Sequence, residues 1–278
     1  MMPNPTNGQL RPTTANGPHR QTLAVIGNGM ASARLVDDLL ERGADQRWHI
    51  RVFGEERHSA YNRILLGRVL NGADPDDISL RPTGWHSDAV HHHLGGKVTQ
   101  LDPLRRQLTL ADGTDHRFDA AVLATGSTPF VPPIAGSDKP GVVVYRTLDD
   151  VATMRRASVS ARSAVVVGGG LLGLEAAKAL LDLGLHVTVV HLAGHLMDTQ
   201  LDAEAGTMLR RRLEQTGLFI RTGVSVQTIH GDPDVDQVTL TDGEVLPADL
   251  VVMACGIRPR VELAKAAGLP TNRAVLVN

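Results

Sequence analysis

The chain contains one pattern twice, and that repetition limits its fold more than any other feature. Leu23–Ile26 is a short apolar run that passes through Gly27-Asn28-Gly29-Met30-Ala31-Ser32 into the helix-like stretch Met30–Arg42, with His49–Phe53 apolar again behind it. The order then recurs: Ala164–Val167, the turn Gly168-Gly169-Gly170-Leu171-Leu172-Gly173, a helical stretch to Leu183, and His186–Val190. Each copy continues through alternating segments broken by Asp112-Gly113 or Asp242-Gly243, and each closes on an apolar run headed by aspartate, Asp119–Gly126 and Asp249–Gly256. Continuous apolar runs bounded by turn residues fit buried parallel strands, and alternating runs separated by Asp-Gly fit antiparallel meanders.

Two matching turns and two matching closing strands make a duplicated βαβ unit with a meander the economical reading. The predicted fold class is therefore α/β, with two Rossmann-like doubly wound nucleotide-binding domains, each carrying a small antiparallel β-meander. Pro129, Pro132, Pro133 and Gly136 mark an extended crossing between the halves, because proline denies a sheet its donors and glycine permits the bend. The expected division is a disordered leader at 1–20, a first domain at 21–146, a second at 147–257, and a return into the first at 258–278. The leader is rich in Pro, Thr, Asn and Gly without apolar periodicity.

A glycine turn that leaves a strand and opens a helix lets backbone approach a pyrophosphate, whose charge meets free amides and the positive end of the helix dipole. In the first turn Gly27 allows the tight bend, Gly29 removes a Cβ, and Met30 opens the helix. Ser32 stands where glycine or alanine is usual, which predicts slightly wider helix–strand spacing. The second turn has all three glycines, Gly168, Gly170 and Gly173, with Leu171 and Leu172 at the helix start. Glu55, just past the second strand, is placed to accept from ribose hydroxyls, with Glu56 as the competing candidate and a solvated loop acid as the plain alternative. The corresponding residue of the second copy is His191. An acid there repels a 2′-phosphate and a histidine does not, so the choice between NADH and NADPH stays open, as does a strand-end role without selectivity.

Other classes fall away on composition. The net charge is −2 and the basic residues are scattered, unlike the one-sided basic surface that nucleic acid requires. No apolar run reaches membrane-span length and the first residues lack the order of a signal peptide, so a cytoplasmic protein is expected. Cys255 is the single cysteine. It excludes an internal disulfide, a Cys-x-x-Cys redox pair and a thiolate-rich zinc site, so electrons have to move through a bound cofactor. It is expected to be a strand-end packing residue. His91-His92-His93 is read as a solvated loop and not a metal site, and Arg210-Arg211-Arg212 as a solvated helix face.

The two glycine turns, Ala124-Thr125-Gly126-Ser127-Thr128-Pro129 and Cys255-Gly256-Ile257-Arg258-Pro259 together resemble the two-dinucleotide flavoprotein reductases, over nearly the whole chain from Leu23. Within that group, Gly27–Met30, Ala60-Tyr61-Asn62-Arg63-Ile64-Leu65-Leu66, Tyr145-Arg146-Thr147, Gly168–Ala177 and Gln200-Leu201-Asp202 resemble the FAD- and NAD(P)H-binding region of assimilatory nitrite reductase large subunits. The resemblance implies FAD in the first domain and NAD(P)H in the second. It places Arg63 near the flavin or its pyrophosphate, Thr125 and Gly126 along FAD with Gly256 as the counterpart in the repeat, and Glu175 where nicotinamide approaches flavin. By the residues alone, Arg63 is equally a helix-surface charge and Glu175 an exposed helical acid.

Related disulfide reductases carry a redox cysteine where this chain has Ala60–Arg63, which favours the branch that passes electrons to a protein or metal centre. In the family a further segment with a Gly-Asp pair follows the strand expected at Ala274–Val277, and an interface domain and iron–sulfur and sirohaem regions come later. The chain alone is thus expected not to reduce nitrite and to be a fragment, one component of a split enzyme or a truncated product. Its expected partner is a redox protein or metal-centre domain on another chain or segment, and a homodimer is possible. The alternatives are a ferredoxin or rubredoxin reductase, or a non-catalytic nucleotide-binding module, the latter motivated by Ser32 and His191.

Overall fold

A computed structural model describes residues 20–81 and 87–277; the rest of the expected leader, 1–19, lies outside the described residues. The first copy runs β1 (Gln21–Ile26), α1 (Met30–Glu41), β2 (Trp48–Gly54), α2 (Leu66–Leu70), β3 (Val90–Leu94), the meander β4 (Val98–Asp102), β5 (Gln107–Leu110) and β6 (Asp115–Arg117), and the closing strand β7 (Ala120–Leu123). Then come β8 (Ser127–Pro129) and β9 (Val142–Val144). The second copy runs α3 (Leu148–Ser158), β10 (Ser163–Val167), α4 (Leu171–Asp182), β11 (His186–His191), α5 (Ala203–Glu214), β12 (Phe219–Thr222), the meander β13 (Val226–Gly231), β14 (Val235–Leu240) and β15 (Val245–Pro247), and the closing strand β16 (Leu250–Met253). The strand β17 (Ile257–Pro259) and the short helix α6 (Glu262–Ala266) follow.

Two parallel sheets result, ordered β3-β2-β1-β7 and β12-β11-β10-β16-β9. Each has the strand before its glycine turn flanked on both sides, β1 by β2 and β7, β10 by β11 and β16. Alternate residues of these strands serve different layers, because successive side chains point to opposite faces. Leu23 and Val25 join Val36 of α1, whereas Ala24 and Ile26 join Leu108 and Leu110 of the meander. In the second copy Ala164 and Val166 meet Leu174, Ala177 and Leu180 of α4, and Val165 and Val167 meet Val238 and Leu240. Each sheet is thus covered by helices on one face and a meander on the other. Truncating a fully buried aliphatic such as Ile50 or Ile220 to alanine costs about 2–5 kcal/mol.

The aspartate that heads each closing strand pins it to the start of the central strand. Asp119 accepts from the Thr22 amide at 2.7 Å, and Asp249 accepts from the amides of Arg162 and Ser163 at 2.8 and 2.9 Å and from the Ser163 hydroxyl at 2.9 Å. Burial acts to raise the Asp249 carboxyl, but these hydrogen bonds outweigh it and hold the group below the usual carboxylate range. Between the halves, β8 and β17 pair antiparallel, so the outgoing and returning crossings form one ribbon.

Three expectations change. Ala274–Val277 forms no strand: Val275 makes an isolated bridge to Thr271 and the Leu276 amide donates back to Pro270, so the segment folds on itself without a ladder partner. His91, His92 and His93 lie on β3 and not in a loop, registered against Arg51, Val52 and Phe53 of β2. His93 stacks on Phe53 at 4.6 Å between centroids, and burial pushes the His92 and His93 imidazoles below their usual value. Finally, β9 pairs with β16, so the second sheet takes in Val142–Val144, ahead of the division expected after residue 146. Among the described residues no helix is long and apolar enough to cross a membrane, and no group of three or more His, Cys, Asp or Glu is placed to hold a metal.

Candidate functional site

Both glycine turns sit at the carboxyl ends of the central strands and are pressed flat on the closing strands. Gly27 has φ +118° and a Cβ there would lie 2.0 Å from the Ala124 carbonyl oxygen; for Gly168 the values are +122° and 2.3 Å from that of Ala254. No other residue fits either place. The next glycines differ in kind, since a Cβ on Gly29 or Gly170 meets nothing within 4 Å. These two residues are the N-caps of α1 and α4, and neither helix has a side-chain cap or an acid in its first turn. By contrast, α3 is closed by a Thr147–Asp150 capping box and α5 by Asp202. The uncapped amides of α1 and α4 are therefore free to meet an anion, and the residues present fit a pyrophosphate at each turn.

The first turn borders a cavity of 540 Å³ lined by Gly27, Glu55, Lys97, Thr125 and Arg260 among others. Glu55 and Glu262 are the acids on its wall, and Glu55 is the one just past the second strand. Glu55 pairs with Lys97 at 2.8 Å and with Arg260. Burial acts to raise its carboxyl, but these two cations outweigh the effect and hold it below the usual range. Glu56 is committed elsewhere, to the Tyr61 hydroxyl at 2.6 Å and to Arg63. Arg63 is not a helix-surface charge: it is half-buried in a 3₁₀ turn, where it also donates to the Tyr61 hydroxyl and to the Arg146 carbonyl. The Tyr61 hydroxyl in turn accepts from the Leu148 amide at the start of α3, tying the halves together. Met30 is exposed, whereas Ser32 is buried with its hydroxyl unpartnered, as is Nε of Arg260. Consistent with a side chain at position 32, α4 packs close on β10, β11 and β16, and α1 makes no comparably close approach to its strands.

The second turn opens on a cavity of 750 Å³ whose wall includes Gly168, Gly170, Leu171, Leu172, His191 and Gly256. His191 faces inward. Its Nδ1 accepts from the Gly169 amide at 3.1 Å, which leaves Nε2 to donate to Asp198 at 3.0 Å. Gly126 and Gly256, the two closing glycines, both have positive φ and are bound to the ribbon: the Arg260 amide donates to the Gly126 carbonyl and the Phe130 amide to the Gly256 carbonyl. Gly173 is buried in the helix–turn contact, with a Cβ placed 2.0 Å from the Gly168 carbonyl oxygen. Glu175 lies on the far side of α4, in a groove shared with Arg68 and Lys178 that meets the cavity at Leu171. Burial raises the Glu175 carboxyl; burial and the Glu175 charge raise the phenol of Tyr145, whose buried hydroxyl has no partner. Cys255 donates to the Val167 carbonyl at 3.3 Å, and burial pushes its thiol up to about 11.

Sequence reasoning missed Lys97, Arg260, Asp198 and Tyr145. The last two carry a signal in hindsight, since Tyr145 opens one of the resembling strings and Asp198 stands just before another.

A model of the pyridine nucleotide-disulphide oxidoreductase family matches residues 21–278. The chain belongs to this family. Its members are FAD- and NAD(P)H-dependent oxidoreductases. Over 93% of its length the chain is 41% identical to a nitrite reductase [NAD(P)H] of Bacillus subtilis (strain 168), covering 32% of that protein. It is 39% identical to the assimilatory nitrate reductase electron transfer subunit of the same organism, again over 93% of the chain and covering 34% of the relative. The crystal structure of a ferredoxin reductase from Rhodopseudomonas palustris superposes with a TM-score of 0.86 at 32% identity, over 93% of this chain and 64% of that one. The chain thus spans about a third of the two curated relatives. Within these 278 residues Cys255 is the one cysteine, so they hold no disulphide among themselves.

Proposed function

We propose that the chain is the nucleotide-binding core of an FAD-dependent NAD(P)H oxidoreductase, passing reducing equivalents to a redox partner as the electron-entry module of a nitrite reductase-type system. The observation that carries this reading is the pair of equivalent glycine turns, each opening on its own cavity ahead of an uncapped helix, in a chain without a cysteine pair. The first half, residues 21–141 with the return after Ile257, holds FAD, and the second holds NAD(P)H.

In the first cleft the amides from Gly29 to Ser32 hold a pyrophosphate and Glu55 accepts from ribose hydroxyls, with Thr125 on the cavity wall and Gly126 next to it in the chain. Arg63 acts by position, fixing the 56–63 segment through Glu56 and Tyr61. In the second cleft the amides from Gly170 to Leu172 hold the other pyrophosphate. Tyr145, on the cavity wall with a buried and unpartnered hydroxyl, faces the nicotinamide end, and Glu175 acts from the adjoining groove that meets the cavity at Leu171. Bound flavin supplies hydride acceptance and one-electron delivery, while the protein supplies position and electrostatics.

The test is an absorbance spectrum of the purified chain before and after FAD, then after anaerobic NADH or NADPH. Flavin bands that bleach with either nucleotide support the reading, and a chain that takes up no flavin at saturating FAD overturns it. A ferredoxin or rubredoxin reductase is the second reading, favoured by the superposition on a solved ferredoxin reductase. Comparing small iron–sulfur proteins as acceptors separates the two.

A further inference from the structure

We propose that Asp198 is the residue with which the second cleft reads the adenosine ribose, and that it makes the chain selective for NADH over NADPH. This rests on the assignment of that cleft to NAD(P)H. In a doubly wound nucleotide fold the ribose is read by an acid at the end of the second strand, which here is β11, and β11 ends in His191. The acid is not missing from the site, however. His191 holds Asp198 at 3.0 Å through Nε2 while its Nδ1 receives the Gly169 amide, so one imidazole fixes a carboxylate against the glycine turn. Asp198 lines the same cavity as that turn, and its side chain stays 36% exposed, open to a ligand.

A carboxylate offers about four lone-pair sites, so one bond from His191 leaves acceptors for two ribose hydroxyls. A 2′-phosphate meets the opposite situation. It would bring negative charge against Asp198, and the cavity supplies no spare cation to offset it: Arg146 is the one Lys or Arg among the described residues of its wall, and its guanidinium is held by the Ser127 carbonyl and hydroxyl at 2.9 and 2.6 Å. Among the arginines of the neighbouring elements α5 and β12, Arg210 is engaged with Glu214 and Thr222, Arg212 with Gln215 and Arg221 with Glu244. His191 is the positioning residue and Asp198 the selecting one.

The test is calorimetric binding of ADP-ribose and 2′-phospho-ADP-ribose, which lack nicotinamide and so report on the ribose site without redox chemistry. Wild type is expected to prefer the unphosphorylated ligand by about 30-fold or more, and Asp198→Asn to shrink that ratio to about threefold, with Asp198→Glu retaining most of it. A wild-type ratio near unity overturns the inference without needing any variant, and so does an Asp198→Asn ratio equal to that of wild type. Binding of neither ligand overturns the assignment of the cleft itself, a different failure from equal binding of both.

Discussion

The two glycine turns agree to within a few degrees and a few tenths of an ångström at Gly27 and Gly168, and part company two steps later. At the third position Gly173 has the Gly168 carbonyl 2.0 Å from where a Cβ would be, whereas Ser32 carries a whole buried side chain. At the ribose end the divergence is wider: Glu55 is pinned by Lys97 and by Arg260 from the far end of the chain, while His191 recruits Asp198 from the following loop. The first glycine of each turn, next to the proposed phosphate site, is held constant by backbone sterics. The part proposed to meet the sugar is built from different side chains in the two copies.

The equivalence breaks first, if anywhere, at the turns. Gly27→Ala and Gly168→Ala should each lose about 3 kcal/mol or more in urea unfolding, because strain at positive φ adds to a backbone clash that no rotamer relieves. Similar losses confirm the equivalence, and a tolerated change in one copy ends it. Exchanging the third residues sharpens the contrast: Gly173→Ser should cost about 2–3 kcal/mol, whereas Ser32→Ala should stay within about 1 kcal/mol because it removes a buried, unpartnered hydroxyl.

The closing aspartates give a smaller effect with a pH signature. Asp249→Asn should cost about 1 kcal/mol and Asp119→Asn about half that, since Asp249 accepts three bonds where Asp119 accepts one, both at exposed positions. The Asp249 carboxyl is held low in the fold, so its contribution is complete above the ordinary aspartate value of about 3.9 and is lost as pH falls through the lower folded-state value. Urea midpoints of wild type and Asp249→Asn should therefore differ at pH 6 and converge in strong acid. Smallest of all, Cys255→Thr, which installs the residue found at the matching place in the first copy, should shift stability by less than about 1 kcal/mol and leave flavin bleaching by NAD(P)H intact.

What was legible in the sequence was local. Strands β1 and β10, both glycine turns and the Asp-headed closing strands follow from apolar runs and turn residues, because each depends on neighbours a few positions away. The same reasoning chose Glu55 over Glu56 by its place past the strand, and the structure turns Glu55 to the cavity. What escaped it was set across long separations. Arg260 meets Glu55 and Tyr61 meets Leu148 only once both halves are folded. His91–His93 became a strand because β2 offers an open edge, and Ala274–Val277 did not because no edge pairs with it. Strand formation is a property of a pair, and a single segment carries half of that information.

The paired ribbon of β8 and β17 also makes the molecule a linkage with two bars. A single crossing would let the halves pivot freely about one joint, but two antiparallel crossings, bonded through Arg260 to Gly126 and through Phe130 to Gly256, fasten each bar to the closing glycine of one cleft. Twisting one half against the other then has to shear the ribbon's own hydrogen bonds, so the separation between the clefts behaves as a gauge length. A one-residue insertion within Ser127–Pro129 would invert which side chains face each half, and the gauge would be reset in both clefts at once.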